Sequence, residues 1–277
     1  SGVFDKKITT KSAFAELALR PAQGLTVTGA ARIDDNSRFG SFDTYRVTGA
    51  YAIGDVLGIA GVKLRASYGS GAKAPGLYQL FDPTYGNPKL QVETSEGGDV
   101  GVDFDFGSAY GAQVSYSFAK TRTEILFDCP AAAAAKEKGC YMNLGRTRKS
   151  GVEVAFNLRP TDWLSFPQSL TYLQADQYLS GNWQSLRRPE FTGSTSVTLT
   201  PIERFSFTAR LRHRDNSQIS TRRLKGYEVV DLLASYGITD NVEIYGRVTN
   251  LFDKQYQMAF GKNALGRSAY GGIRLNF

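Results

Sequence analysis

The residues of this chain that could carry chemistry are few and lie far apart. Two cysteines, Cys129 and Cys140, stand eleven residues apart around an alanine run. In an oxidising compartment this spacing predicts a disulfide that closes a loop. A zinc site is not expected, because His213 is the one histidine of the sequence and lies in another segment.

Two pairs of carboxylates imitate the dyads of acid–base catalysis. Asp34 and Asp35 are adjacent, and Asp103 and Asp105 fall on one face of an extended segment. Paired acids on such a face are more often solvated, or paired with lysine or arginine, than catalytic. We find no convincing nucleophile–base pair, so the sequence predicts neither an enzyme nor a metal or cofactor site.

The net charge of +7 raises the question of a nucleic-acid partner. The lysines and arginines are spread along alternating strands and loops. The sequence contains neither a basic helix nor an aromatic RNA-binding motif. The positive charge therefore does not predict binding to nucleic acid.

The elements that must position these residues are long alternating strands. Ser268–Phe277 reads SAYGGIRLNF, with one face apolar up to the last residue and the other polar. Phe205–Arg214 alternates in the same way. Because successive side chains of a strand point to opposite faces, each such segment presents one apolar row. We count thirteen strands and no convincing helical period.

The lengths of the strands and of their connections predict a transmembrane antiparallel β-barrel, an all-β fold. Globular strands cluster near about 5–6 residues, whereas tilted membrane strands need about 9–11. Tight turns alternate here with longer polar loops, which is the pattern of outer-membrane barrels. A sandwich or propeller would show short strands at even spacing.

The second face of the strands is rich in charge. Such side chains would be very costly in a dry core, so they predict a wide, wet lumen or one filled by a polar plug. A solvent-exposed sheet face is the alternative. The predicted lumen- or plug-facing residues are Lys63, Arg65, Asp103, Asp105, Arg210, Arg212 and Arg247.

The odd number of strands predicts a barrel larger than these residues. Single-chain bacterial barrels have an even number of strands, and an open sheet edge is not viable in lipid. We therefore expect residues 1–277 to form the C-terminal portion of a barrel. The remaining strands would come from further residues of the chain or from a second chain.

Four runs at strand–loop boundaries follow one another along the chain. They are AKAPGLYQL at Ala72–Leu80, YGNPKLQVE at Tyr85–Glu93, NLGRTRKSGVE at Asn143–Glu153 and NLFDKQY at Asn250–Tyr256. Together they resemble the β-barrel domain of TonB-dependent outer-membrane receptors, over essentially the whole chain. The resemblance implies a barrel of about 22 strands around a plug domain. We expect the plug, the first barrel strands and the segment that contacts TonB to lie outside these residues.

The resemblance implies energised uptake of a scarce, large nutrient across the bacterial outer membrane, with TonB as the energy-coupling partner. A passive porin-like or adhesin-like barrel without energy coupling is the alternative. Ile33–Arg46, followed by the run at Ala72–Leu80, looks most like the vitamin B12 transporter branch. Ferric-siderophore receptors share most of the same motifs, so cobalamin and a siderophore both stand as ligands.

Aromatic side chains on the long loops are the candidates for contact with such a ligand, since they can stack on a corrin or a catecholate. Roles in the membrane girdle or in loop packing are the alternative. The candidate ligand-binding residues are Tyr78, Phe81, Tyr85, Trp183, Tyr256 and Phe260.

The closing strand has a further implied role. In the receptor family a terminal aromatic strand is the signal read by the barrel assembly machinery, and Ile273, Leu275 and Phe277 match that pattern. The implied partners are therefore this machinery, outer-membrane lipid, the plug domain and the remaining barrel strands.

Overall fold

The computed structural model describes residues 5–55, 59–107, 110–134, 136, 138–179, 182–186, 188–219 and 222–276. Within them the chain folds almost wholly into antiparallel strands. The strands are β1 Thr10–Ala22, β2 Leu25–Asn36, β3 Gly40–Ile53, β4 Gly61–Lys73, β5 Glu93–Asp105, β6 Tyr110–Phe127, β7 Tyr141–Thr161, β8 Leu164–Leu179, β9 Asn182–Ser185, β10 Phe191–Leu199, β11 Phe205–Arg214, β12 Ser217–Ile219, β13 Arg222–Leu224, β14 Tyr227–Gly237, β15 Val242–Thr249, β16 Gln257–Ala259, β17 Lys262–Asn263 and β18 Ser268–Leu275. The two helices are α1 Leu77–Phe81 and α2 Cys129–Ala134.

Thirteen strands form one continuous path. Its order is β1-β2-β3-β4-β5-β6-β7-β8-β10-β11-β14-β15-β18, so neighbours in the sheet are neighbours along the chain. The expected set of thirteen strands is confirmed for this path. Among the described residues β1 pairs with β2 alone and β18 with β15 alone, so the sheet ends in two edges there.

The short elements lie within the connections and were not expected from the sequence. β9 extends the sheet beside β8, while β12–β13 and β16–β17 form separate hairpins. With two to four residues each, these strands show no readable alternation. The helices have five and six residues, too few to reveal a helical period. No helix in the described part of the chain is long and apolar enough to cross a membrane.

The two ends of the sheet differ in their connections. At the turn end, Ala22 leads to Leu25 and Thr161 leads to Leu164 through two residues. At the loop end, β4 and β5 are separated by the segment that carries α1, and β15 and β18 by the β16–β17 hairpin. This long–short rhythm is the one predicted from the sequence.

Strand register sorts the side chains into two faces. On the outer face Leu64 pairs with Val102, which pairs with Val114. On the inner face Lys63 pairs with Asp103. Large apolar side chains of the outer face stay exposed to solvent, Val100 among them. The sheet therefore presents an apolar outer face and a charged inner face.

One glycine is fixed by the close approach of neighbouring strands. A Cβ on Gly151 of β7 would lie 2.6 Å from the backbone oxygen of Tyr172 in β8. No real side chain tolerates that distance, so the sequence needs glycine there.

Candidate functional site

Two of the candidate ligand-binding residues, Tyr78 and Tyr85, belong to one aromatic cluster at the loop end. The Tyr78 ring meets Tyr141 edge-on, with centroids 6.2 Å apart. Tyr85 meets Phe127 at 5.5 Å, and Phe127 meets Tyr141 at 5.1 Å. Tyr78 and Tyr85 remain 48% and 40% exposed. The cluster therefore joins the β4–β5 connection to the loop end of β6 and β7 while keeping two rings open to solvent.

Local turn chemistry places both tyrosines. The Gly76 N–H donates to the Gln79 side-chain oxygen at 2.9 Å, and the fully buried Leu80 anchors α1 from below. After the helix, the Asp82 carboxylate accepts the Tyr85 N–H at 2.8 Å, an Asx-type turn. The pKa of the Tyr78 phenol is raised, first by partial desolvation and then by the charge of Asp82. Its hydroxyl thus stays a hydrogen-bond donor.

The connection between β6 and β7, which we call the disulfide loop (residues 128–140), holds the neighbouring connection in place. Cys129 and Cys140 are joined by a disulfide. The Cys140 N–H donates to the Tyr85 backbone oxygen at 2.9 Å. Gly139 has φ +79°, and a Cβ there would lie 2.4 Å from the same oxygen, so only glycine fits. The loop closed by the disulfide thus rests directly on the segment that carries Tyr85.

Hydrogen bonds join the second and third sequence runs at the loop end of the sheet, near the aromatic cluster. The Asn143 side-chain oxygen accepts the Gln91 N–H at 2.7 Å, while its amide donates to the Gln91 and Thr123 oxygens at 3.1 and 2.7 Å. Glu93 pairs with Lys73 of the first run at 2.9 Å. These runs therefore interlock two connections of the loop end.

The other candidate residues lie in separate places. Phe81, at the end of α1, is half-buried and has the Arg38 guanidinium 5.1 Å from its ring centroid. Tyr256 is half-buried, with its ring 4.2 Å from that of Tyr227. Phe260 is exposed at the tip of the β16–β17 hairpin.

Trp183 lies on the outer face. It pairs in register with Tyr178 of β8 and meets that ring edge-on at 5.4 Å. The Arg148 guanidinium lies 4.4 Å from its ring centroid. The structure therefore brings Tyr78 and Tyr85 together, with Phe81 on the same short helix as Tyr78, and leaves Trp183 on another surface.

Phe127 and Tyr141 complete the cluster and were not singled out in the sequence. They flank the disulfide loop, because Phe127 is the last residue of β6 and Tyr141 is the first residue of β7. Aromatic residues flanking a disulfide-closed loop were the signal that would have pointed to them.

The fourth run forms a turn where β15 ends, with Asn250 buried and Phe252 exposed. Asn250 is 3% exposed at φ +54°, and its side chain both accepts the Lys254 N–H and donates to the Lys254 oxygen, at 2.7 and 2.9 Å. The Asn250 N–H donates to Asp231 at 2.9 Å. Asp253 accepts the Arg267 N–H at 2.8 Å. The two side chains hold the ends of the β15–β18 connection.

Charged residues of the inner face pair across neighbouring strands. Arg65 lies 3.2 Å from Asp103 and 3.5 Å from Asp99. Arg65, Lys63 and Glu153 line a concave space of about 500 Å³. Asp105 instead accepts the backbone N–H of the β5–β6 turn at 2.9 Å.

The inner face of the later strands follows the same pattern. Arg212 pairs with the largely buried Asp231 at 2.9 Å. Arg210 donates to Ser196 at 3.4 Å, and the Arg247 guanidinium lies 4.5 Å from the Tyr270 ring centroid. The inner wall is therefore polar: Arg65 and Arg212 pair with carboxylates, while Arg210 contacts a hydroxyl and Arg247 an aromatic ring.

Two further predicted features have simple locations. Ile273 and Leu275 lie on the outer row of β18 and are exposed, while Phe277 falls outside the described residues. His213 contacts two carboxylates, Glu228 at 3.1 Å and Asp215 at 3.2 Å, through different ring nitrogens. In the described part of the chain no three His, Cys, Asp or Glu residues are grouped to hold a metal ion.

Comparison with known proteins begins from the curated sequences. The chain is 29% identical over 257 residues to the vitamin B12 transporter BtuB of Photobacterium profundum, covering 90% of this chain and 40% of that protein. It is 28% identical over 279 residues to BtuB of Vibrio cholerae serotype O1, covering 99% of this chain and 43% of that protein. The chain therefore spans less than half the length of these relatives.

Solved structures share the fold. The ferric enterobactin receptor PfeA of Pseudomonas aeruginosa, as its G324V mutant, matches with a TM-score of 0.78 and 20% identity, over 98% of this chain and 45% of that one. The copper transporter OprC matches with a TM-score of 0.81 and 20% identity, over 98% and 48%. The sequence model of the family described as "TonB dependent receptor-like, beta-barrel" matches residues 2–251. With a family model that matches residues 2–251 and the strand order described above, this chain belongs to the TonB-dependent receptor β-barrel family.

Proposed function

We propose that the receptor containing this chain takes up cobalamin across the bacterial outer membrane with energy supplied through TonB. The observation that supports cobalamin as the ligand is the sequence similarity to vitamin B12 transporters over 90–99% of the chain. Solved siderophore receptors at 20% identity support the fold alone. A ferric siderophore is the ligand that the experiment below must exclude.

The aromatic cluster supports contact with a large, flat ligand. Exposed tyrosines offer apolar ring faces together with a hydroxyl that can donate a hydrogen bond. Tyr78 and Tyr85 would make the first contact, with Phe81 beside them. Tyr256 and Phe260 would contribute from the β15–β18 connection, whereas Trp183 lies on the outer face and is left out of this contact.

We assign the inner face to contact with a plug domain and with water. The balanced ion pairs of Arg65 and Arg212 suit a polar partner better than an anionic ligand, since the positive charge is already matched. The plug and the remaining strands would close the sheet between β18 and β1. This assignment is supported by the coverage of the two BtuB relatives, since the chain spans 40–43% of their length.

Outer-membrane placement follows from the same proposal. The apolar outer face would contact lipid, and the outer row of β18 with Ile273, Leu275 and Phe277 would be the signal for the barrel assembly machinery. A passive barrel would make no use of TonB, so uptake measured with and without TonB distinguishes it from the proposed transporter.

Binding to the full-length receptor tests the ligand. We expect saturable binding of cyanocobalamin and none of ferric enterobactin. Replacing Tyr78 and Tyr85 together by alanine should weaken binding by about 10-fold or more, since each ring contributes about 0.5–1.5 kcal/mol beyond its area. Phe252→Ala is the matched control, an exposed aromatic outside the candidate set. Tight siderophore binding without cobalamin binding would reject the ligand assignment.

A further inference from the structure

The outer face of β6 changes character towards the loop end. Its side chains, two residues apart, are Val114, Tyr116, Phe118, Lys120 and Arg122. The first three are exposed apolar groups and the last two are exposed cations. A step of two residues along a strand is about 7 Å. Towards the loop end of β6, the outer face of the sheet therefore changes from apolar to aromatic and then to cationic within a short distance.

The neighbouring strand β7 doubles the positive charge at that height. Lys120 pairs in register with Arg148, and Arg146 follows on the same face of β7, beside Tyr178. We call Lys120, Arg122, Arg146 and Arg148 the outer cationic patch. All four residues are exposed.

Two carboxylates lie within the patch and leave most of its donors unused. Arg122 reaches Glu96 through one nitrogen at 2.9 Å, and Arg148 reaches Asp176 through one nitrogen at 2.8 Å. The two arginine side chains are 70% and 54% exposed. A guanidinium carries five N–H donors, so several stay available to an incoming anion. Four cations facing two carboxylates leave an excess of positive charge.

We propose that the outer cationic patch binds the phosphate of an anionic lipid headgroup in the outer leaflet. The proposal rests on the membrane placement given under the proposed function. Tyrosine and other aromatic rings settle at the level of lipid headgroups, and Tyr116 and Phe118 mark that level directly beneath the patch. Arginine and lysine at this height match a headgroup phosphate in both charge and geometry.

The apolar rows beneath the patch favour a lipid over a free anion. A lipid whose phosphate meets Lys120 and Arg148 would lay its acyl chains along Phe118, Tyr116 and Val114. Inorganic phosphate would gain the charged contacts alone. The lipid should therefore bind far more tightly than the free anion at equal concentration.

Native mass spectrometry of the full-length receptor in detergent tests the site. The probes are phosphatidylglycerol, zwitterionic phosphatidylcholine and inorganic phosphate at equal concentration. The patch variant carries K120Q, R122Q and R148Q. The matched control carries R46Q, K63Q and K149Q, which remove the same charge from the inner face. Cyanocobalamin binding is measured in parallel, so that failure of this site and failure of the proposed transport function are distinguished.

The wild type and the inner-face control should each retain phosphatidylglycerol, and the patch variant should retain at least about 5-fold less. Equal retention in both variants, equal retention of phosphatidylcholine, or displacement by inorganic phosphate would each overturn the proposal. If the patch variant does not fold, the single variant Lys120→Glu is read by the same criteria.

Discussion

At the residue scale, asparagine side chains in the sequence runs hold backbone segments together by hydrogen bonds. Asn143 satisfies three backbone groups of neighbouring segments. The Asn250 side chain satisfies two backbone groups of Lys254 in its own turn and the Leu265 oxygen farther along the connection. Their roles could be predicted only in part. Asn250 lies beside the strand end that it caps, so local turn chemistry can indicate such a role. Asn143 acts on Gln91, 52 residues away, and that contact depends on the register shift between β6 and β7 near Thr123.

Asn250 gives a stability prediction at this scale. Its φ of +54° suits asparagine and glycine but costs alanine about 1 kcal/mol. Alanine also loses the side-chain hydrogen bonds, worth about 1 kcal/mol each. We expect Asn250→Ala to lower the free energy of unfolding of the full-length receptor by about 4 kcal/mol, measured in urea by fluorescence. Asn250→Gly, the matched control, should lose about 1 kcal/mol less because it keeps the backbone conformation. Equal losses in the two variants would contradict the role of backbone conformation.

At the element scale, the thirteen strands and their two faces followed from period-two alternation. The elements within the connections did not, because β9, β12–β13 and β16–β17 are too short to show a pattern. This limits the prediction of the site. Trp183 looked like a loop residue in the sequence, yet β9 pairs with β8 and carries it to the outer face. The spacing of Cys129 and Cys140 indicated a closed loop, but not that this loop rests on Tyr85.

The disulfide loop should restrain the neighbouring connection. In the entropy model, closing a loop of this size destabilises the unfolded chain by about 3 kcal/mol. In the folded protein the closed loop contacts the Tyr85 backbone oxygen through Cys140 and Gly139. In the full-length receptor, the variant Cys129→Ser with Cys140→Ser should be cleaved by trypsin after Lys89 at least about 10-fold faster, as followed by mass spectrometry. Cleavage after Lys262, on the β16–β17 hairpin, is the internal control and should not change. An unchanged rate at Lys89 would show that the disulfide loop does not act as a brace.

At the scale of the whole molecule, the two faces of the sheet suit different surroundings. The apolar outer face and the cationic patch above it suit a membrane, while the paired charges of the inner face suit a polar partner. The aromatic cluster at the loop end would meet the nutrient first. The faces could be predicted from alternation alone. The pairing of charges could not, since Arg65 meets two aspartates of β5 that only the strand register brings within reach.

Energised uptake of cobalamin is the central claim, and uptake by intact cells tests it most directly. Cells that depend on the full-length receptor are supplied with radiolabelled cyanocobalamin, with and without a functional TonB. We predict accumulation that requires both the receptor and TonB. Accumulation that persists without TonB would identify a passive barrel, and receptor-dependent uptake of a ferric siderophore with no uptake of cyanocobalamin would contradict the assigned nutrient.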